Sequence, residues 1–322
     1  MTKHIGRLMS VGLAKEAVRG TRVASQFWLP ATAIEHVGKV EYVDDMSALG
    51  VIHDAQESEI IKEWAEGGYT SMIGDNHFGL VLLNLLGSVS SGAAGDVYDH
   101  TFTVGDDSQH DSLTLEIDQP NGDKSFANGM ITSCDIAFEQ GKYLDYTVGF
   151  MSKKGATQTL TPSYAAENRF RPQDLTFKLA ADAASLAAAS AICVKSLNLT
   201  IEKNVEPDEC LGDTEPQDFL NKTFTITGSV TLNYDSQTYE DYALDGTQKA
   251  MRINLVNTDA TIGAASNPEL LLDFEKVAFK EVSFSRGLDE IVTQTLTFKV
   301  LYKASASKAI SSCVLTNATA SY

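Results

Sequence analysis

The chain has 322 residues, 43% of them hydrophobic and 21% charged. That is enough for two globular units and too apolar to stay disordered. Its 43 acidic and 25 basic residues leave a formal net charge of −18. Such a surface repels nucleic-acid phosphates and anionic membranes, so a basic DNA-binding patch is excluded and a surface that DNA passes without sticking is not.

In chain order, the first distinctive stretch is GLAKEAVRGTRVASQFWLP, residues 12–30. Gly12 and Gly20 flank a charged segment holding Lys15, Glu16 and Arg19, and Phe27, Trp28, Leu29 and Pro30 close it. Such an arm, ahead of any strong strand pattern, is expected to find little to bury against locally. Two readings follow: its aromatic end docks on the body or a neighbouring subunit while the polar end makes specific contacts, or FWLP caps its own sandwich. Trp64, in IIKEWAEGGYTSMI (60–73), suits a strand edge or bend. The apolar cluster His77–Leu86 predicts one short helix packed on a sheet, and the Gly/Ser/Asp-rich stretch 88–112 reads largely as loop.

Strands are predicted at 97–104, 112–118, 196–202, 222–234, 249–256 and 291–302, where apolar and polar residues alternate and β-branched and aromatic types abound. Alanine propensity suggests a helix at 179–191, and Thr238–Leu244 suits another. The acidic stretch 202–218 carries Glu202, Glu206, Asp208, Glu209, Asp213, Glu215 and Asp218 without the order of a calcium loop, and reads as a mobile solvated loop or a contact loop.

An internal repeat emerges on aligning DIAFEQGKYLDYTVGFMSKK (135–154) with EVSFSRGLDEIVTQTLTFKV (281–300), where Phe138 meets Phe284 and Gly141 meets Gly287, both at an offset of 146. Residues 34–50 align with 193–212 in the same way, at an offset nearer 160. The organisation expected is an arm (1–30), a first β unit (31–175), a second β unit (176–302, its first residues to about 192 a linker or helix) and a C-terminal stretch (303–322). The fold class is mostly β, in two tandem sandwich or split-barrel units, each with a short flanking helix.

Chemistry is sparse. The histidines are His4, His36, His53, His77, His100 and His110, and no GxSxG, Walker loop or dinucleotide fingerprint occurs. Asp99–His100 and His110–Asp111 are strand neighbours whose side chains point to opposite faces, so they read as exposed polar positions and not dyads. Cys134, Cys193, Cys210 and Cys313 form no CxxC pair and read as buried or idle thiols of a reducing compartment. No cofactor, metal or catalytic residue is expected, nor a signal peptide or membrane span.

Residues 12–30 resemble the N-terminal signature G-x-x-K-E-x-x-x-G-T-x-V-x-x-x-x-W-L-P of phage tail tube proteins, met by Gly12, Lys15, Glu16, Gly20, Thr21, Val23, Trp28, Leu29 and Pro30. The order of later features, Gly68-Tyr69, the helix ending at Leu86-Gly87, the hairpin ITSCDIAFEQGKYLDYTVGF and then SLNLTIEKNVE, is similar to that family across nearly the whole chain. The resemblance implies a non-enzymatic major tail protein of a long-tailed, siphophage-like bacteriophage. It would assemble in the host cytoplasm into rings whose inner strands form one closed barrel around a channel for DNA ejection. A duplicated chain implies homotrimeric, pseudo-hexameric rings, the alternative being homohexamers. The implied partners are other copies of itself, a tape-measure protein, tail tip and tail terminator proteins, and passing double-stranded DNA that is not bound. The arm residues Lys15, Glu16, Arg19, Phe27, Trp28 and Leu29 would then serve contacts between subunits or rings, the C-terminal stretch likewise, and Glu139, Asp145, Asp289 and Glu290 are candidates for the lumen. Competing readings are a carbohydrate-binding or adhesin sandwich, a hydrolase on a β scaffold, and a capsid decoration or tail-terminator ring protein.

Overall fold

Alternating apolar and polar residues make most of the chain extended, with turns at Gly and Asn/Asp. A computed structural model describes residues 3–322. Strands β1 (Ser10–Lys15), β2 (Phe27–Leu29), β3 (Ala31–Ile34), β4 (Val37–Asp45) and β5 (Glu57–Met72) lead to helix α1 (Phe78–Leu86). Then come β6 (Gly87–Ala94), β7 (Val97–Val104), β8 (Leu113–Asp118), β9 (Asp123–Glu139), β10 (Asp145–Ser152) and β11 (Ala156–Gln158). The remainder comprises β12 (Leu175–Ala180), β13 (Val194–Glu202), β14 (Val205–Asp208), β15 (Asp218–Asn221), β16 (Thr225–Asn233), helix α2 (Thr238–Leu244), β17 (Gln248–Val256), β18 (Glu269–Ser285), β19 (Thr293–Val300) and β20 (Ile310–Asn317).

Strand pairing runs in the same order in both halves. In the first, β4 and β3 pair with β5, β5 with β10 and β10 with β9. In the second, β13 pairs with β16, β16 with β19 and β19 with β18. The halves join where β13 lies antiparallel on the distal part of β9, with Leu199 opposite Ile136. The result is one run of strands in the order β4, β5, β10, β9, β13, β16, β19, β18. The run closes no barrel within the chain. Among the described residues, β3 and β4 pair only with β5, and β18 beyond Phe279 pairs only with β19.

The long strands β9 and β18 each serve two sets of neighbours. The first part of β9 pairs with β8 and β11, the first part of β18 with β17 and β20. The corner in β9 is built by Asn128 in the left-handed region (φ 54°) and Gly129, where a Cβ would come within 2.2 Å of the Phe150 ring. Each strand also bulges farther on. Thr132 is the extra residue between the pairs Gly149–Ser133 and Phe150–Ile131, and Lys280 is the extra residue between Phe298–Phe279 and Thr297–Glu281.

One continuous apolar core runs beneath the sheet, from Leu13, Tyr69, Ile136 and Phe150 to Leu199, Val230, Phe274 and Leu296. Every residue of α1 is buried, because its apolar side chains cover the whole circumference and the helix is wrapped by β1, β6, β7 and β9. Asn84 survives there by donating to the carbonyls of Asp111 (2.8 Å) and Gly129 (3.2 Å) and accepting from the Ile131 N–H (2.8 Å).

Several expectations need correction. The 12–30 segment is not an arm short of local burial: β1 pairs with β2 and β8, and Val11, Leu13 and Leu29 are core residues. Residues 88–94 are strand β6, hairpinned to β7. The alanine-rich stretch forms no α-helix. It ends β12 and continues as the single 3₁₀ turn Ala183–Ser185, because Asp182 caps Ser185 and alanines alone offer no apolar face to pack. His100 and His110 are buried, not exposed: His100 holds Asn317 and Thr319 O, and His110 faces Asn84 O and Gly105 O. The C-terminal stretch is no free tail. Strand β20 sits between β18 and β7, and the Tyr322 ring packs against His100 (4.7 Å between centroids).

Candidate functional site

The signature residues of 12–30 form a clamp inside the chain. Gly12 lets β2 approach, since a Cβ there would stand 2.1 Å from Ser25 Oγ. Past β1 the chain turns, and the buried Glu16 carboxylate gathers four donors: Gly20 N–H (2.7 Å), Ser112 Oγ (2.6 Å), Thr114 Oγ1 (2.9 Å) and Asn128 N–H (2.8 Å). That satisfaction is what makes a carboxylate tolerable inside. The turn aims Arg19 at the ribbon formed by β14 and β15: its guanidinium donates to Asp218 Oδ1 (2.6 Å), to Phe219 O (2.7 Å) and to His110 O. Asn128 Nδ2 adds a bond to Asp218 (3.2 Å), and the Asn221 N–H donates to Ser108 O (2.9 Å). Burial works to raise the Asp218 carboxyl, but hydrogen bonds from Arg19, Phe219 N–H and Gln109 outweigh it and hold it below its ordinary value.

The acidic stretch 202–218 is therefore not one mobile loop. It departs from Lys203, which is buried and donates to Asn84 O at the C-terminal end of α1 (2.5 Å). Burial, helped by the charge of Arg19, pushes the Lys203 ammonium down to about 7.

The other arm residues divide. Lys15 pairs with Asp111 at the surface (2.8 Å), Phe27 lies 6.1 Å from the Tyr322 ring, Trp28 is half-buried opposite Gly12, and Leu29 is fully buried.

The outward face of the eight-strand run is mainly hydroxylic and acidic, with one exposed lysine, Lys299, opposite Thr227. Register places Thr70, Thr147, Asp135, Thr200, Thr227, Ser229, Thr297 and Ser283 on it, and threonines bond across strands: Thr70 to Thr147 and Thr231 to Thr295, both at 2.9 Å. Glu139 and Asp145 share this face, with Lys142 3.4 Å from each. Asp289 and Glu290 lie apart from them in the turn between β18 and β19, where the Glu290 N–H donates to Gly287 O (3.3 Å). Sequence reasoning missed Asp135, Glu202 and Glu281, which occupy the same face. Period-two alternation from Ile136, Ile201 and Val282 carried that signal, and it needed only the pairing register to be read.

Among the described residues no group of three or more His, Cys, Asp or Glu could hold a metal ion, and no helix is long and apolar enough to cross a membrane. A search of curated proteins found no match. The family model described as phage tail tube protein matches residues 6–300, a span that takes in the clamp, the acidic face and both halves of the sheet. The chain thus belongs to the phage tail tube protein family and is a structural component of a phage tail.

Proposed function

We propose that copies of this chain close edge to edge into rings, and that the rings stack into the hollow tube through which the phage genome is delivered. The observation that carries this reading is the sheet itself: one run of eight strands joined across its middle by β9 and β13, with two unlike free edges, β3–β4 and the distal part of β18. An unpaired edge favours a partner, and two edges that differ can satisfy each other between copies, a head-to-tail join that makes a ring where its rotation closes. The repeated pairing order supports two tandem tail-tube units per chain, divided near residue 176. Three chains then supply the six units of a ring, six chains being the alternative.

The acidic, hydroxyl-bearing face would line the channel. Asp135, Glu139, Asp145, Glu202 and Glu281 would repel the phosphates of passing DNA, and the hydroxyls of Thr70, Thr147, Thr231, Thr295 and Thr200, bonded within the face, would offer it little to hold. Such a conduit works without catalysis or cofactor. Its partners are further copies, a tape-measure protein, the tail tip and the terminator. Negative-stain microscopy of the purified protein tests the reading: annuli or tubes with three-fold or pseudo-six-fold averages are expected. A monodisperse compact particle at every concentration and salt overturns it.

A further inference from the structure

One seam inside the chain joins its two halves. In it, Ser196–Glu202 of β13 pair with Ser133–Glu139 of β9, and the Lys203 N–H continues the ladder to Thr132 O (2.8 Å). Past that point the β14–β15 ribbon lies over Asn128 and Arg19. The second half has the same strands without this cover. Its bulge residue Lys280 stands where Thr132 stands in the first, and the paired set Asp145–Ala137 corresponds to Thr293–Ser285. Following the pairing outward, Gly149–Gly68 corresponds to Thr297–Ser229, and Glu35, whose N–H donates to Gly68 O, corresponds to Asn198, opposite Ser229. Each step is fixed by observed register, so Val37 takes the place of Thr200, Lys39 that of Glu202 and Val40 that of Lys203.

We propose, on the ring reading above, that residues 35–40 of one copy pair antiparallel with residues 280–285 of a second copy, Val37 opposite Ser283 and Lys39 opposite Glu281, and that the hairpin beyond them seats on the lysines flanking the β18 bulge of that copy. Lys39 against Glu281 is an opposite-charge cross-strand pair. The β4–β5 hairpin leaves Val40, Tyr42, Val43, Ile60 and Ile61 exposed, Ile60 41% and Tyr42 57%, although the loop between β14 and β15 reaches its β5 arm, Lys62 pairing with Glu209 (2.9 Å) and the Glu63 N–H donating to Thr214 O (2.8 Å). It also carries Glu41, Asp44, Asp45, Glu57 and Glu59. The seat has the complementary sign: Lys276 corresponds to the Asn128 that the ribbon touches, and Lys280 is exposed at the bulge. In a chain of net charge −18, a local excess of lysine facing an acidic hairpin favours a second copy of this chain over an unrelated anion.

The experiment is disulfide trapping in a Cys193→Ser, Cys210→Ser background, removing the exposed native thiols. Val37→Cys with Ser283→Cys, both at exposed positions, is compared under mild oxidation with Val37→Cys and Ser285→Cys, one period out of register. The expected result is covalent oligomers, reduced by dithiothreitol, at least ten times more abundant for the first pair. Annuli or tubes in the micrographs with trapping only in the second pair, or in neither, overturn the register and leave the ring reading standing. Absence of annuli and tubes in the untouched protein overturns both. Independently, Lys276→Glu with Lys280→Glu is expected to raise the concentration needed for assembly at least ten-fold without changing the melting curve, and Glu57→Lys with Glu59→Lys to restore it. Unchanged assembly by the lysine variant overturns the seating of the hairpin.

Discussion

Arg19 holds Asp218 at 2.6 Å although 199 positions separate them. The bond ties the turn after β1 to the separate two-stranded ribbon that connects β13 to β16. Arg19→Ala strips the partner from a part-buried carboxylate and from the carbonyls of His110 and Phe219. A loss of roughly 2–3 kcal/mol in urea unfolding is expected, with little recovery by Arg19→Lys, whose point charge cannot reach three acceptors at once.

Glu16→Gln removes the charge that four donors converge on and leaves one amide N–H2 facing them. Denaturant titration should show a stability loss of roughly 2–4 kcal/mol. Deletion of residues 1–29 goes further, since Val11, Leu13 and Leu29 leave the core with it. The truncated chain is expected to lose its cooperative melting transition; a sharp transition near the parent temperature would contradict the packing described here.

His36 is buried at the bend between β3 and β4, its ring edge-on to Phe126 and Phe150 and its Nε2 2.9 Å from Ser152 Oγ. Burial pushes its pKa from 6.5 down to about 4. The unfolded chain takes up the proton first, so stability present above pH 6.5 is lost as the pH falls toward 4. The loss is about 3 kcal/mol from this one group. His36→Gln should flatten the acid limb of a melting-temperature profile between those pH values.

Lys203 is a second buried cationic group whose depressed pKa gives a slope of the same sign. Its ammonium is depressed from 10.5 to about 7 by burial, so the unfolded chain holds a proton that the folded chain has released between those values. Stability from this group therefore rises from pH 7 toward 10.5. Lys203→Met should be more stable than the parent at pH 6, with the difference shrinking by pH 10. Equal differences at both pH values would mean that the lysine is charged throughout.

Reversing the polar face tests the conduit. Asp135→Lys, Asp145→Lys and Glu202→Lys lie on one face by register and touch no core residue's position. Tubes of the triple variant are expected to retain double-stranded DNA in a sedimentation assay at about 0.1 M salt, released at higher ionic strength, where the parent tubes retain none.

Much of the architecture could be read from local pattern. Val97–Val104 and Thr238–Leu244 fall where alternation and the tyrosine-bearing cluster placed them, because both signals are short-range. The two hairpins aligned at Phe138 and Phe284 do join β9 to β10 and β18 to β19, but the bulges at Thr132 and Lys280 stand 148 positions apart, so the register matches Phe284 with Ile136 and not with Phe138. What escaped was non-local. Glu16 looks like a surface charge until Ser112, Thr114 and Asn128 arrive from about a hundred residues away. His100 reads as exposed because its partners, Asn317 and Thr319, come from the far end of the chain. The alanines at 179–191 misled in the other direction: propensity without an apolar stripe does not outweigh a strand, β12, already paired with β17.

The β9–β13 seam has a kinetic meaning as well. Its two edges sit on one polypeptide, so they meet by first-order search at an effective concentration that dilution cannot lower. The proposed seam between copies would be second order and respond to expression level. In a three-membered circle half of the seams would be ready as soon as each chain folds, and thinning the pool of subunits would part neighbours while leaving every such internal union closed.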